Sequence, residues 1–117
     1  ASAIVRDLHD RLAALGERYD AVPTFPQDSL SLLVRSGLHR RYAPVAAGGP
    51  GFADAREENL DLLDALRGVG RADLSLGRLF EGHVNALKLF DWYADPELLR
   101  TLAGQLSRGA MYGVWAT

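Results

Sequence analysis

The chain has 117 residues, no cysteine, 13 basic and 15 acidic side chains, and a formal net charge of −2. That length suits one domain with one core, and a hydrophobic content of 48% marks a globular chain rather than a disordered one. The balanced charge excludes the basic footprint of a nucleic-acid binder, the missing thiols exclude disulfides and thiolate metal sites, and no apolar run approaches the ~20 residues of a membrane helix.

The opening residues lack the basic head and apolar run of a signal peptide, so a cytoplasmic location is the default expectation. Residues 2–19 form a predicted helix, because Val5, Leu8, Leu12 and Leu15 recur at three- and four-residue steps and share one face. Pro23 and Pro26 interrupt it, since a residue before proline avoids the helical region. Pro26 suits the first turn of a second helix, Asp28 sits near the positive end of its dipole, and Leu30, Leu33 and Val34 form its buried stripe. Gly37 closes it in the left-handed conformation. Pro44, Gly48, Gly49, Pro50 and Gly51 make 38–52 a loop.

A third helix is expected over 54–67, with Leu60, Leu63 and Leu66 facing the core and Gly68 and Gly70 ending it. Glu57, Glu58, Asp61 and Asp64 give it a solvated acidic face. The fourth helix is the most apolar. Asp73 is its expected N-cap, and Leu76, Leu79, Phe80, His83, Val84, Leu87 and Phe90 make a face wide enough for contact on more than one side. Asp95 caps a fifth helix opened by Pro96, whose Leu98, Leu99, Leu102 and Leu106 point inward.

After Ser107-Arg108-Gly109 the pattern changes. Met111, Tyr112, Val114 and Trp115 are strand formers broken by Gly113. A lone strand cannot satisfy its own backbone, so this segment is expected to pair with polypeptide outside the chain. The predicted fold class is all-α: an orthogonal or up-down bundle of about five helices over residues 1–109, then a strand-like segment over 110–117 that begins a β-domain the sequence does not contain.

Several of these landmarks recur together in one known family. Ser36-Gly37-Leu38, Pro44, Gly48-Gly49, Gly82-His83-Val84-Asn85, Asp95-Pro96-Glu97, Ser107-Arg108-Gly109 and Val114-Trp115-Ala116-Thr117 follow one another in an order that resembles the N-terminal helical domain of the acyl-CoA dehydrogenase family, up to the first strand of its middle β-domain. In that family a helix ends at Gly-Leu and a Pro-x-x-x-Gly-Gly loop follows. The resemblance covers nearly the whole chain and is clearest from Phe25 onward. The family's sharper Thr-Glu-Pro signature reaches only its first residue here, Thr117, and Trp115 stands where the family usually has a small or polar residue.

The resemblance implies an intact flavoprotein with a middle β-barrel, a C-terminal four-helix bundle, FAD between domains and subunits, and assembly as a homodimer or tetramer. It implies α,β-desaturation of an acyl-CoA-type substrate. A glutamate takes the α-proton while hydride leaves the β-carbon for flavin N5. That base belongs to the C-terminal domain, so no catalytic residue is expected in this chain, and the fragment alone is expected to be inactive. Carried over by position, Val114, Ala116 and Thr117 become flavin contacts. A strand backbone offers alternating N–H and C=O groups to the polar edge of a flat ring, and a threonine hydroxyl can donate. Phe80, Glu81, His83 and Val84 would line or flank the acyl cavity. Without the resemblance, the same tail reads as an ordinary strand anchored by Trp115.

Gly82 costs about 1 kcal/mol against alanine in mid-helix, which points to close approach of another group. His83 has two readings: a buried, hydrogen-bonded histidine, or an acid–base group near the cofactor. His9 and His39 fall on polar surfaces and suggest no site. No metal is expected, because His83 has no second ligand three or four residues away. Arg35, His39, Arg40 and Arg41 cluster at a helix end, as its dipole favours, and no recognition helix follows them. The Gly48–Gly51 run lacks the Gly-Lys-Ser/Thr of a phosphate loop. Two alternatives stay open. One is a flavin-dependent monooxygenase of the same fold using His83 near the flavin peroxide. The other is a non-enzymatic helical interaction module without affinity for flavin.

Overall fold

In the computed structural model, which describes residues 1–114, the predicted stripes become five helices: α1 (Ser2–Ala21), α2 (Gln27–Ser36), α3 (Ala55–Ala72), α4 (Leu74–Tyr93) and α5 (Pro96–Ser107). Among the described residues there is no strand. α3 packs between α1 and α4, and α2 lies against α1. α5 meets the rest mainly through the 40s loop.

The helix ends follow local chemistry. The carboxylates of Asp54, Asp73 and Asp95 accept from the backbone N–H of Glu57, Leu76 and Leu98, serving donors that a first helical turn leaves unpaired. Pro96 fills the first position of α5, and Gly37 closes α2 at φ 80°.

α3 departs from its expected end. It runs through Gly68 and Gly70 to Ala72, and Asp73 then closes it and caps α4. These glycines are notches rather than terminators. A Cβ on Gly68 would lie 2.0 Å from Val5 Cγ1, so its absence admits α1, and a Cβ on Gly77 would lie 2.8 Å from Gly70 Cα, so its absence admits α3 against α4. Helices this close are filled by small side chains, and the buried face of α3 is Ala65 and Val69, with Leu62 and Leu66 half-buried. Leu60 and Leu63, expected inside, are exposed, as are Leu79 on α4 and Leu98 on α5.

The expected loop contains two 3₁₀ turns, Leu38–Arg40 and Val45–Ala47. The Pro44 carbonyl accepts from both Ala47 and Gly49 and curls the second turn tightly. A Cβ on Gly49 would sit 1.9 Å from the Ala43 carbonyl oxygen, which is backbone and cannot swing aside. Gly49→Ala is therefore expected to destabilise the fold by about 1–3 kcal/mol, read as a lower urea midpoint at unchanged slope.

The acidic face of α3 is not wholly solvated. Asp61 accepts from Arg41 Nε at 2.7 Å and Nη2 at 3.1 Å, and from the Tyr42 hydroxyl at 2.7 Å. Burial alone would raise the Asp61 carboxyl, but hydrogen bonds from Arg41, the Ala1 nitrogen and Tyr42 hold it well below the usual carboxylate range. Glu58 pairs with Lys88 of α4. Arg41 thus leaves the expected basic cluster to tie the loop to α3.

Apolar burial falls into two clusters. The larger joins Val5, Leu8, Leu12, Leu33, Leu38, Tyr42, Val69, Leu76, Phe80 and Val84. The smaller joins Ala43, Ala47, Leu87, Leu102 and Leu106. Beyond α5, Gly109 turns the chain at φ 84°, and Ala110 N–H closes onto the Gln105 carbonyl. Residues 110–114 have no regular structure, in place of the expected strand. Met111 leans on the larger cluster and Tyr112 on the smaller, while the strand pairing expected for this segment involves polypeptide outside the chain.

Candidate functional site

α4 passes from the larger cluster to the smaller between Val84 and Leu87, just beyond His83, and the first 3₁₀ turn carries His39 to the same place. Both side chains are buried, which corrects the surface reading of His39. His83 Nε2–H donates to the His39 carbonyl, and the Tyr112 backbone N–H donates to His83 Nδ1 at 3.0 Å. A carbonyl only accepts and an amide N–H only donates, so the two partners fix one imidazole tautomer. His39 in turn donates from Nε2 to the Leu106 carbonyl at 3.0 Å. Its Nδ1 is buried without a hydrogen-bond partner among the described residues.

The rings form a column. His39 and His83 stack with centroids 6.1 Å apart, His83 and Tyr112 with centroids 5.9 Å apart, and Phe90 meets Tyr112 edge-on at 5.4 Å. The Tyr112 hydroxyl bonds the Gln105 side chain. Burial pushes His83 down to about 4, against the opposing pull of the His39 carbonyl. Burial also lowers His39, with Arg40 acting in the same direction. Both imidazoles are neutral near pH 7, and His83 has both nitrogens committed. That arrangement suits holding chain in place better than moving protons.

Beside the column lies an apolar cleft of about 480 Å³ between the C-terminal half of α4, the start of α5 and the 110–114 segment. Leu89, Phe90, Tyr93, Leu98, Tyr112 and Val114 line it, and no charged side chain does so among the described residues. Tyr93 is 81% exposed and neighbouring Trp92 67%, a large apolar surface for one chain to leave to water.

The sequence-predicted residues scatter around this cleft. Val114 stands at its rim, 45% exposed, while Ala116 and Thr117, like Trp115, lie outside the described residues. Phe80 is wholly buried with its ring edge-on to Tyr42, and Val84 shares its cluster. Glu81 is exposed on α4. None of Phe80, Glu81, His83 and Val84 is among the residues lining the cleft. A Cβ on Gly82 would meet nothing within 4 Å, so no described part of this chain makes the close approach expected there.

The donor set bears on the implied cofactor. Exposed Gly113 and Val114 stand beside aromatic and aliphatic walls, a surface that would accept a flat, uncharged ring. The same cleft offers no cation for a diphosphate, so that part of FAD would need residues from elsewhere. No group of three His, Cys, Asp or Glu side chains converges on a metal site among the described residues. No helix there is long and apolar enough to cross a membrane.

His39 escaped sequence reading because its acceptor lies 67 residues away at Leu106, and its neighbours Arg40 and Arg41 read as surface. No family model matches the chain, and neither a curated protein nor a solved structure matches it.

Proposed function

We propose that the chain is the N-terminal helical domain of a flavin-dependent, acyl-CoA dehydrogenase-like oxidoreductase, with residues 110–117 leading into its β-domain. The observation that carries this reading is the uncharged aromatic cleft with the 110–114 segment held along its rim, where the resemblance puts the approach to the flavin. FAD, when bound, would supply the hydride acceptor. This chain's part is to exclude water from one side of the acyl and flavin cavity, which strengthens electrostatic interactions inside it. Acid–base chemistry would come from other domains of a dimeric or tetrameric cytoplasmic enzyme. The commitment of both His83 nitrogens favours dehydrogenation over the monooxygenase reading, which needs a free imidazole facing the cofactor.

The full-length protein is expected to show oxidised-flavin bands near about 370 and about 450 nm, and acyl-CoA thioesters should bleach the latter without oxygen. A colourless protein that cannot be reconstituted with FAD would leave the helical interaction module. Oxygen-dependent hydroxylation without thioester bleaching would establish the monooxygenase.

A further inference from the structure

We propose that His83 is a positioning residue that fixes the backbone at Tyr112, and through it the register in which Val114 meets the cofactor. The cofactor half of this inference rests on the flavoprotein reading above.

The tail has few backbone anchors. Ala110 N–H bonds Gln105 at the end of α5, and Tyr112 N–H then bonds His83, after which Gly113 and Val114 are exposed. The second anchor decides direction, because only Gly113 separates it from Val114, a reach of about 7 Å. A side-chain acceptor serves this amide, so the tail's position depends on how firmly the imidazole is held. It is held from three sides: by the rigid mid-section of α4, by the His39 carbonyl at Nε2, and by rings stacked on both faces. His39 is itself tied to Leu106 of α5. The chain of bonds therefore runs from α5 through the first 3₁₀ turn to α4 and back to the segment leaving α5. A histidine kept only for filling space would need no such directional closure.

Asparagine and glutamine separate the two nitrogens, so the tests are His83→Asn and His83→Gln in the full-length protein. In H83N the side-chain oxygen can take the place of Nδ1 and keep the Tyr112 bond. In H83Q the longer side chain carries its amide to the place of Nε2 and keeps the His39 bond instead. Exchange of the Tyr112 amide should stay near wild type in H83N and accelerate about tenfold in H83Q, the effect of losing one hydrogen bond. The FAD dissociation constant should rise about tenfold in H83Q alone, with a shifted flavin spectrum. Should H83Q fail to fold, Tyr112→Pro deletes the donor along with its ring, with Tyr112→Ala, which loses the ring and keeps the N–H, as its control; only the proline variant is expected to raise the FAD dissociation constant about tenfold and to speed exchange at Ala110.

Equal exchange in both variants would overturn the clamp. Faster exchange with unchanged flavin affinity and spectrum would overturn the positioning role. A wild-type protein that never holds flavin would overturn the flavoprotein reading together with the cofactor half, while the exchange contrast would still decide the clamp.

Discussion

Phe80→Ala is expected to lower the unfolding free energy by about 3–5 kcal/mol, the range for truncating an enclosed aromatic ring. Phe80 is wholly buried in the larger cluster and meets Tyr42 edge-on. Tyr42 also stacks on Phe52 and donates to Asp61, so the space left by the ring borders groups held by other bonds that cannot collapse freely into it. A domain of this size is stable by only about 5–15 kcal/mol, so the variant should lose a large share of that margin. Guanidinium denaturation followed by circular dichroism measures the effect, with the midpoint falling and the slope retained. A loss under about 1 kcal/mol would mean that the ring is not enclosed.

Acid should weaken the fold well above the range where carboxylates titrate. Burial sets His83 at about 4 in the folded state against an ordinary 6.5, so between these values the unfolded chain binds the extra proton. Stability therefore falls as pH drops from 6.5 toward 4, and is unaffected by this group above 6.5. The effect of His83 is on the order of 3 kcal/mol across the window. His39, also lowered by burial, acts in the same direction. Asp61 follows lower down: its depressed carboxyl contributes stability above an ordinary 3.8 that is lost as pH falls below it. Urea midpoints at several pH values test this. The wild type should lose stability steadily between neutral pH and about 4, and H83N should flatten much of that slope. An unchanged profile in H83N would show that the imidazole is not buried neutral.

What the sequence disclosed was local. Asp73, Asp95 with Pro96, and Gly37 act on residues within one helical turn, and each sits where its chemistry predicts. The features it hid depend on partners far along the chain. Gly68 looks like a helix breaker until α1 arrives against it, and with Gly77 it shifts the buried face of α3 from leucines to Ala65 and Val69. Asp61 looks like one of four solvated carboxylates until the loop delivers Arg41 and Tyr42. The tail looks like a strand because Met111, Tyr112 and Val114 favour one, and its two anchors within this chain, from Ala110 to Gln105 and from Tyr112 to His83, lie beyond what its own residues disclose. At the site, Val114 lies at the cleft, and His83 is buried and hydrogen-bonded, as one of its two readings required. The cleft itself combines α4, α5 and the tail, and no single stretch of sequence contains it.

The stacked imidazoles form a seam between the two apolar clusters, bonded from His39 to α5 and from His83 to the tail. α5 and the second 3₁₀ turn sit together on one side of it, with the end of α4. Because α5 meets the rest mainly through the 40s loop, opening it locally would reshape the aromatic cleft while disturbing the α1–α3–α4 layer least.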